Sequence, residues 1–262
     1  MFLDEKELRR NLVHGDAVRF KLFDTIPSTN TFVKALANEG ESEGLIVLAD
    51  TQSGGRGRMG RSFASPDGSG IYLSMLLRPT APACNGVLIT ACAAVAVSEA
   101  IENVTGIKVG IKWVNDLYYV GKKVCGILAE GSLSGNGSFD YAVLGIGLNI
   151  TDCFFGTELE GIAGGLYPSL PQNELHVIKH RLISAIIDRF FDYYLSGMQA
   201  DELLEKYLAR LFILGKPVQV ISYSGETDAT VIGLNDDFTL EVEYADGIRQ
   251  SLNSGEVRLK IQ

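Results

Sequence analysis

The sequence predicts an α+β protein: a mixed sheet packed with helices, followed by a small β-barrel. Three observations carry this. Strand-like alternation and helical periodicity share residues 1–211, with hairpin turns joining several of the strands. After Leu214-Gly215-Lys216-Pro217 the texture changes. Short alternating segments, PVQVISYS, TDATVIGLN, FTLEVEYAD, IRQSLNS and EVRLKI, follow at the spacing of a barrel. Finally, 46% apolar and 21% charged residues over 262 positions supply a large core and exclude a disordered chain. Two domains are therefore expected, 1–211 and 212–262.

Element by element, residues 4–13 read as a short helix stopped at Gly15, and 17–26 as a half-buried strand ended by Pro27. Ser28 or Thr29 is a natural N-cap for a helix to Asn38, closed by Gly40. GLIVLADT (44–51) is a buried strand, 52–68 a loop rich in Gly, Arg and Ser, and 70–79 a further strand. A helix follows over 83–104, then strands at 107–113, 117–120, 123–132 and 139–150, with GKK and GNG as hairpin turns. Residues 151–172 are irregular, and 173–196 and 199–210 are helical.

The charge balance is 23 Lys+Arg against 32 Asp+Glu, a net −9. An acidic chain repels phosphate backbones, so DNA is not expected as a partner and any nucleotide must meet a local positive cluster. The N-terminus lacks the apolar core of a secretory signal, and the apolar run Val87–Val97 is too short to span a bilayer. No membrane association is expected. The cysteines Cys84, Cys92, Cys125 and Cys153 form no CxxC pair, as befits reduced thiols in the cytoplasm. His176 and His180 are four apart on a helix without further ligands in sight, which reads as a solvated face.

The positive cluster is Gln52-Ser-Gly-Gly-Arg-Gly-Arg-Met-Gly-Arg61. From Thr51 to Pro66 there are three arginines and no acid. Glycines 54, 55, 57 and 60 permit positive φ and close approach, and the arginines offer forks for carboxylate or phosphate. This is an anion cradle, though neither a Walker loop nor a dinucleotide fingerprint. A plain surface loop or an RGG-like nucleic-acid contact remains the alternative. A second segment, Lys112-Trp113-Val114-Asn115-Asp116 followed by Gly121-Lys122-Lys123-Val124-Cys125-Gly126-Ile127-Leu128-Ala129-Glu130, sets cations, an amide and carboxylates around a hairpin. Each residue also has a structural use: Asp116 as a turn cap, Trp113 as core, the lysines as a solvated tip.

Together GRGRMGR, SFASPDGSGIYLSM, KWVNDLYYVGKKVCGILAE and GIGLNI (145–150) resemble the biotin protein ligases, closely over residues 20–150. The resemblance implies a catalytic domain of the class II aminoacyl-tRNA-synthetase-like, biotin–lipoate ligase type, with an SH3-like C-terminal β-barrel. It implies that biotin and ATP with Mg²⁺ form biotinyl-5′-AMP, and that biotin then passes to a lysine of a biotin carboxyl carrier protein. A biotin- or nucleotide-binding sensor without turnover is the competing reading. The resemblance places Ser28, Thr29, Asn30, Gln52 and Gly126 at biotin, and Arg56, Gly57, Arg58 and Lys123 at its carboxylate and the phosphate. It places Gly55, Arg58, Arg61, Phe63, Asn115 and Asn149 at the nucleotide, and Asp116 at the acceptor amine. Arg56, Arg58, Lys123 and Asp116 are the expected catalytic residues; metal ligands are not identified. Val114 stands where many relatives have Pro. Only 27 residues precede Ser28, too few for the winged helix-turn-helix of the bifunctional members, so repressor activity is not expected. The family contains monomers and dimers, which leaves a homodimer open.

Overall fold

A computed structural model describes residues 3–79, 86–133, 139–153, 155–222, 225–253 and 256–259. Asp4 caps helix α1 (Glu5–Arg10), its carboxylate accepting the Lys6 N–H at 2.8 Å. Strand β1 (Arg19–Ile26) leads through Pro27 to α2 (Thr29–Asn38), for which Ser28 takes the N-cap. Strands β2 (Leu45–Gln52) and β3 (Gly70–Leu77) flank the arginine loop, and helix α3 spans Gly86–Thr105. Strands β4 (Gly110–Lys112), β5 (Asp116–Tyr119), β6 (Lys122–Leu133) and β7 (Phe139–Asn149) follow, then helices α4 (Gln172–Leu195) and α5 (Ala200–Leu208). The predicted GNG turn and Cys84 lie outside the described residues.

These strands form one mixed sheet in the order β1-β2-β3-β7-β6-β5-β4, in which β1 and β2 run parallel and the remaining pairs antiparallel. Helices α3, α4 and α5 cover one face. On the other face α2 packs a smaller cluster around Val33, Val47 and Val143. The parallel register sets Ile26 against Gln52, so the start of α2 and the start of the arginine loop emerge side by side. That adjacency creates the site.

α3 corrects one expectation. The apolar run extends into a 20-residue helix long and apolar enough to cross a membrane. However, 72% of that span is buried here, and Ala91 through Val97 are all sealed in the core. Its small side chains admit α4 closely, so the helix is the core of a packed domain.

A second, antiparallel sheet holds β8 (Pro217–Ser222), β9 (Gly225–Leu234), β10 (Leu240–Tyr244), β11 (Arg249–Leu252) and β12 (Glu256–Leu259), in the order β11-β10-β9-β8-β12. This is the small C-terminal β unit expected. Its buried residues, among them Val231, Phe238 and Leu240, belong to the same continuous core as α3 and α4. The Trp113 indole N–H crosses between the sheets to the Phe238 carbonyl at 2.9 Å, and Trp113 is 5% exposed. Trp113 is thus a joint between the two sheets.

The histidines correct a second expectation. The face of α4 that carries His176 and His180 is docked by α1 rather than bathed by solvent. His176 Nε2 lies 2.8 Å from Glu7, and buried His180 accepts the Asp4 N–H at 3.0 Å while its Nδ1 faces the His176 carbonyl at 2.8 Å. Glu7, His176 and His180 lie close enough to hold a metal, but both His180 nitrogens already have backbone partners. His14 completes the seam through Asp192 at 2.8 Å.

Burial, chiefly, holds the His180 pKa below 6.5, with the charges of His176 and Lys179 adding to it, against the opposing pull of the hydrogen bond to the His176 carbonyl and of Glu7. The unfolded chain therefore takes up this proton first. The stabilisation is complete above pH 6.5 and is lost as pH falls through the lower folded-state value. Thermal unfolding at pH 7.5 and 5.5 should show a larger drop for the wild type than for His180→Gln, which keeps an acceptor but does not titrate. Equal drops would refute the assignment.

Candidate active site

A cavity of about 250 Å³ opens on the α2 face of the large sheet, beyond the N-terminus of α2. Its floor is made possible by glycine. A side chain at Gly145 would collide with Asn30, and one at Gly147 with the Phe63 ring. Phe63, expected at the nucleotide, lies on the sheet with its ring against Gly126 and Gly147 and forms part of the wall.

One end of the cavity is polar and buried. Gln52 Oε1 accepts the Thr29 N–H at 2.9 Å and the Thr29 hydroxyl at 3.1 Å, while Gln52 Nε2 donates to Ser65 at 2.8 Å. Ser74 donates to Asn30 Oδ1 at 2.6 Å. Ser28 has a double position, capping α2 and lining the cavity. This end suits a small, uncharged ring with hydrogen-bonding groups.

The other end is charged. Arg56, Gly57, Arg58 and Arg61 line the cavity from the loop. Its backbone is folded on itself: Gly57 N–H donates to the Arg61 carbonyl at 2.7 Å and Phe63 N–H to the Gly55 carbonyl at 2.9 Å. Within the loop, positive φ falls at Met59, Gly60 and Gly68 and not at glycines 54, 55 and 57, a correction to the expectation above. Gly55 is needed for another reason, since a Cβ there would strike the Phe63 carbonyl. Arg58 Nη1 donates to Asn115 Oδ1 at 3.1 Å, and Asn115 is in turn anchored to the Ile127 carbonyl at 2.9 Å.

Lys123 reaches the cavity through a break in strand alternation. Tyr118 pairs with Lys123 and Leu117 with Cys125, so the register shifts by one residue between them. Strict alternation would send Lys123 to the core side with Cys125. The bulge instead turns it to the side of Gly126 and Asp116, and its Nζ lies 2.6 Å from Asp116 Oδ1. Lys122 lies over Gly164 and is not part of the cavity wall.

Two expected residues sit elsewhere. Gly55 does not line the cavity but packs against Phe63 and Ser65 within the loop. Asn149 is buried off the cavity, its Nδ2 donating to the Gly164 carbonyl at 3.0 Å while Oδ1 has no hydrogen-bond partner among the described residues. Sequence reasoning missed Lys112, Tyr118, Leu159 and Ile162 on the cavity wall, and Ser74 beneath it. Lys112 was visible within the KWVND segment; Leu159 and Ile162 lie in the irregular segment, where periodicity carries no signal.

The model of the biotin/lipoate A/B protein ligase family matches residues 22–149. The bifunctional ligase/repressor BirA of Bacillus spizizenii is 34% identical over 256 residues, which are 95% of this chain and 77% of that protein. The chain belongs to the biotin/lipoate A/B protein ligase family. Within it, the biotin–acetyl-CoA-carboxylase ligase of Paracoccus denitrificans is 30% identical over 236 residues, 88% of this chain and 96% of that one. A biotin protein ligase from Aquifex aeolicus, solved in complex with biotin and ATP, superposes with a TM-score of 0.72 at 26% identity, covering 93% of this chain and 99% of its own. The chain has the biotin protein ligase fold, mixed sheet and C-terminal β unit included.

Proposed function

We propose that the cavity carries out the biotin protein ligase reaction in two steps: formation of biotinyl-5′-AMP from biotin and ATP, then transfer of biotin to a lysine of a biotin carboxyl carrier protein. The observation that carries this reading is the joining, in one cavity, of a buried amide-and-hydroxyl end to an end with three arginines and two lysines. A biotin carboxylate and an α-phosphate repel until cations screen them, and preorganised donors in a half-closed site do this without reorganising. Thr29, Asn30 and Gln52 read the ureido ring; Ser28 and Gly126 line its pocket. Arg56, Arg58 and Lys123 hold the carboxylate and phosphate, with Gly57 allowing the loop to fold over them. Arg61, Phe63 and Asn115 lie toward the nucleotide. Gly55 and Asn149 act on it by shaping the loop and the 151–166 segment.

Asp116 has its use in the second step. An acceptor lysine is protonated near neutral pH, since its ordinary pKa is about 10.4. When Lys123 turns to the phosphate, Asp116 is released to orient that amine and accept its proton. Mg²⁺ arrives with ATP as part of the substrate; among the described residues, the clustered metal-type side chains lie at Glu7, His176 and His180, away from the cavity. We further place the domain boundary at 211/212 and the protein in the cytoplasm, supported by buried, free Cys92 and Cys125.

The test is incubation with biotin, ATP and Mg²⁺, followed by mass spectrometry of the protein and of an added carrier domain. Retained biotinyl-AMP and a carrier lysine gaining one biotin are expected. Biotin-independent ATP consumption, or retention of biotin and ATP without the adenylate, would reject the ligase reading.

A further inference from the structure

Glu130 ends the KKVCGILAE segment on β6 and is not among the residues that line the cavity. Its carboxylate is nonetheless divided between the two ends of the cavity. Oε1 accepts from Arg56 Nη2 at 2.9 Å, and Oε2 accepts from Asn30 Nδ2 at 3.1 Å. Alternation along β6 accounts for this aim, because Gly126, Leu128 and Glu130 share the face opposite Cys125 and Ile127. Glu130 is 18% exposed at its side chain and Arg56 45%, so the pair lies outside the core; Arg56 itself lines the cavity, and Glu130 acts on it through Arg56 and Asn30.

An ionised carboxylate accepts and never donates. Facing Asn30, it therefore fixes which way that amide points: Nδ2 toward Glu130, Oδ1 toward Ser74. Facing Arg56, it draws one corner of a long, mobile guanidinium toward the sheet and thereby ties the 52–68 loop to β6. Arg56 and Glu130 are 74 positions apart, and Asn30 and Glu130 are 100 apart, so one carboxylate joins three distant stretches of the chain.

We propose that Glu130 is a positioning residue that sets the distance and orientation between the ring-reading amide of Asn30 and the carboxylate-binding fork of Arg56. It selects a ligand with a neutral hydrogen-bonding ring at one end and a carboxylate at the other. This rests on the biotin reading of the cavity. Carboxylates that orient a ligand-binding group through its far side act in the same way at metal sites.

The variants are Glu130→Gln, which keeps length and loses charge, and Glu130→Asp, which keeps charge and loses the reach to both partners. Each should raise the KM for biotin about five- to tenfold, the loss of one charge-assisted hydrogen bond at a half-exposed pair. The kcat and the KM for ATP should stay within about twofold, with unchanged thermal unfolding. Trypsin should cut the ligand-free variants faster than wild type at Arg56, and saturating biotin should remove the difference. Unchanged biotin KM and unchanged cleavage would overturn the proposal, as would a fall in KM, which would make Glu130 a competitor of the ligand. If the wild type forms no biotinyl-AMP, the biotin reading fails, while the ligand-free cleavage still tests the hold of Glu130 on Arg56.

Discussion

Replacing Lys123 by Met should slow formation of biotinyl-AMP by about 10²- to 10³-fold, the range for removing one preorganised donor from developing charge. The Nζ of Lys123 is the cation that the β5–β6 bulge delivers beside Asp116 and opposite the arginine loop. Biotin-dependent pyrophosphate release should collapse, whereas transfer from presupplied biotinyl-AMP should fall much less. The change also strips Asp116 of its partner at 2.6 Å, so thermal unfolding must be followed in parallel. A variant that still folds and makes adenylate within about threefold of the wild-type rate would remove Lys123 from the first step.

Asp116→Asn should do the opposite. Adenylate formation should survive, and transfer to the carrier should drop by about 10²- to 10⁴-fold, the range for losing a positioned general base. The remaining transfer should climb steeply with pH as the acceptor lysine deprotonates by itself, because its ordinary pKa is about 10.4. Rapid-mixing of preformed biotinyl-AMP enzyme with carrier, from pH 7 to 9.5, gives both readouts. Equal losses in the two steps with a flat pH profile would mean that Asp116 works merely by holding Lys123.

The halves of this site differ in how far they can be read without coordinates. The arginine loop is a local feature, three cations within six residues and no acid nearby, and its chemistry shows in composition alone. The helices α2 and α4 are similarly local, set by an N-cap and by periodicity. What stays hidden is made by pairings across long stretches of chain. The Ser74–Asn30 bond joins positions 44 apart, and the apolar character of Ser74's strand gives no hint of a polar duty. His180 looks like surface by its spacing and is buried because α1, 176 positions earlier, folds back onto it. The strand expected at 107–113 shrinks to Gly110–Lys112, following Gly106 at positive φ. Lys179 is the plainest case: a lysine on a helix, 2% exposed, whose charge is met by Asp50 at 2.7 Å two residues before Gln52. No pattern in α4 announces that pairing.

The bulge opposite Tyr118 carries one more consequence, about how such a chain can change over time. Alternation makes a strand a matter of parity: even positions see one side and odd positions the other. With one extra residue between Leu117 and Cys125, parity flips once, and an amine faces the cavity while a thiol faces the core. Restoring strict alternation here would put Lys123 and Cys125 on the same side. Substitutions at the exposed Val120-Gly121 tip leave that count untouched. The tip is nonetheless held in composition by its own backbone, since Val120 and Gly121 both take positive φ, a turn that favours asparagine and glycine.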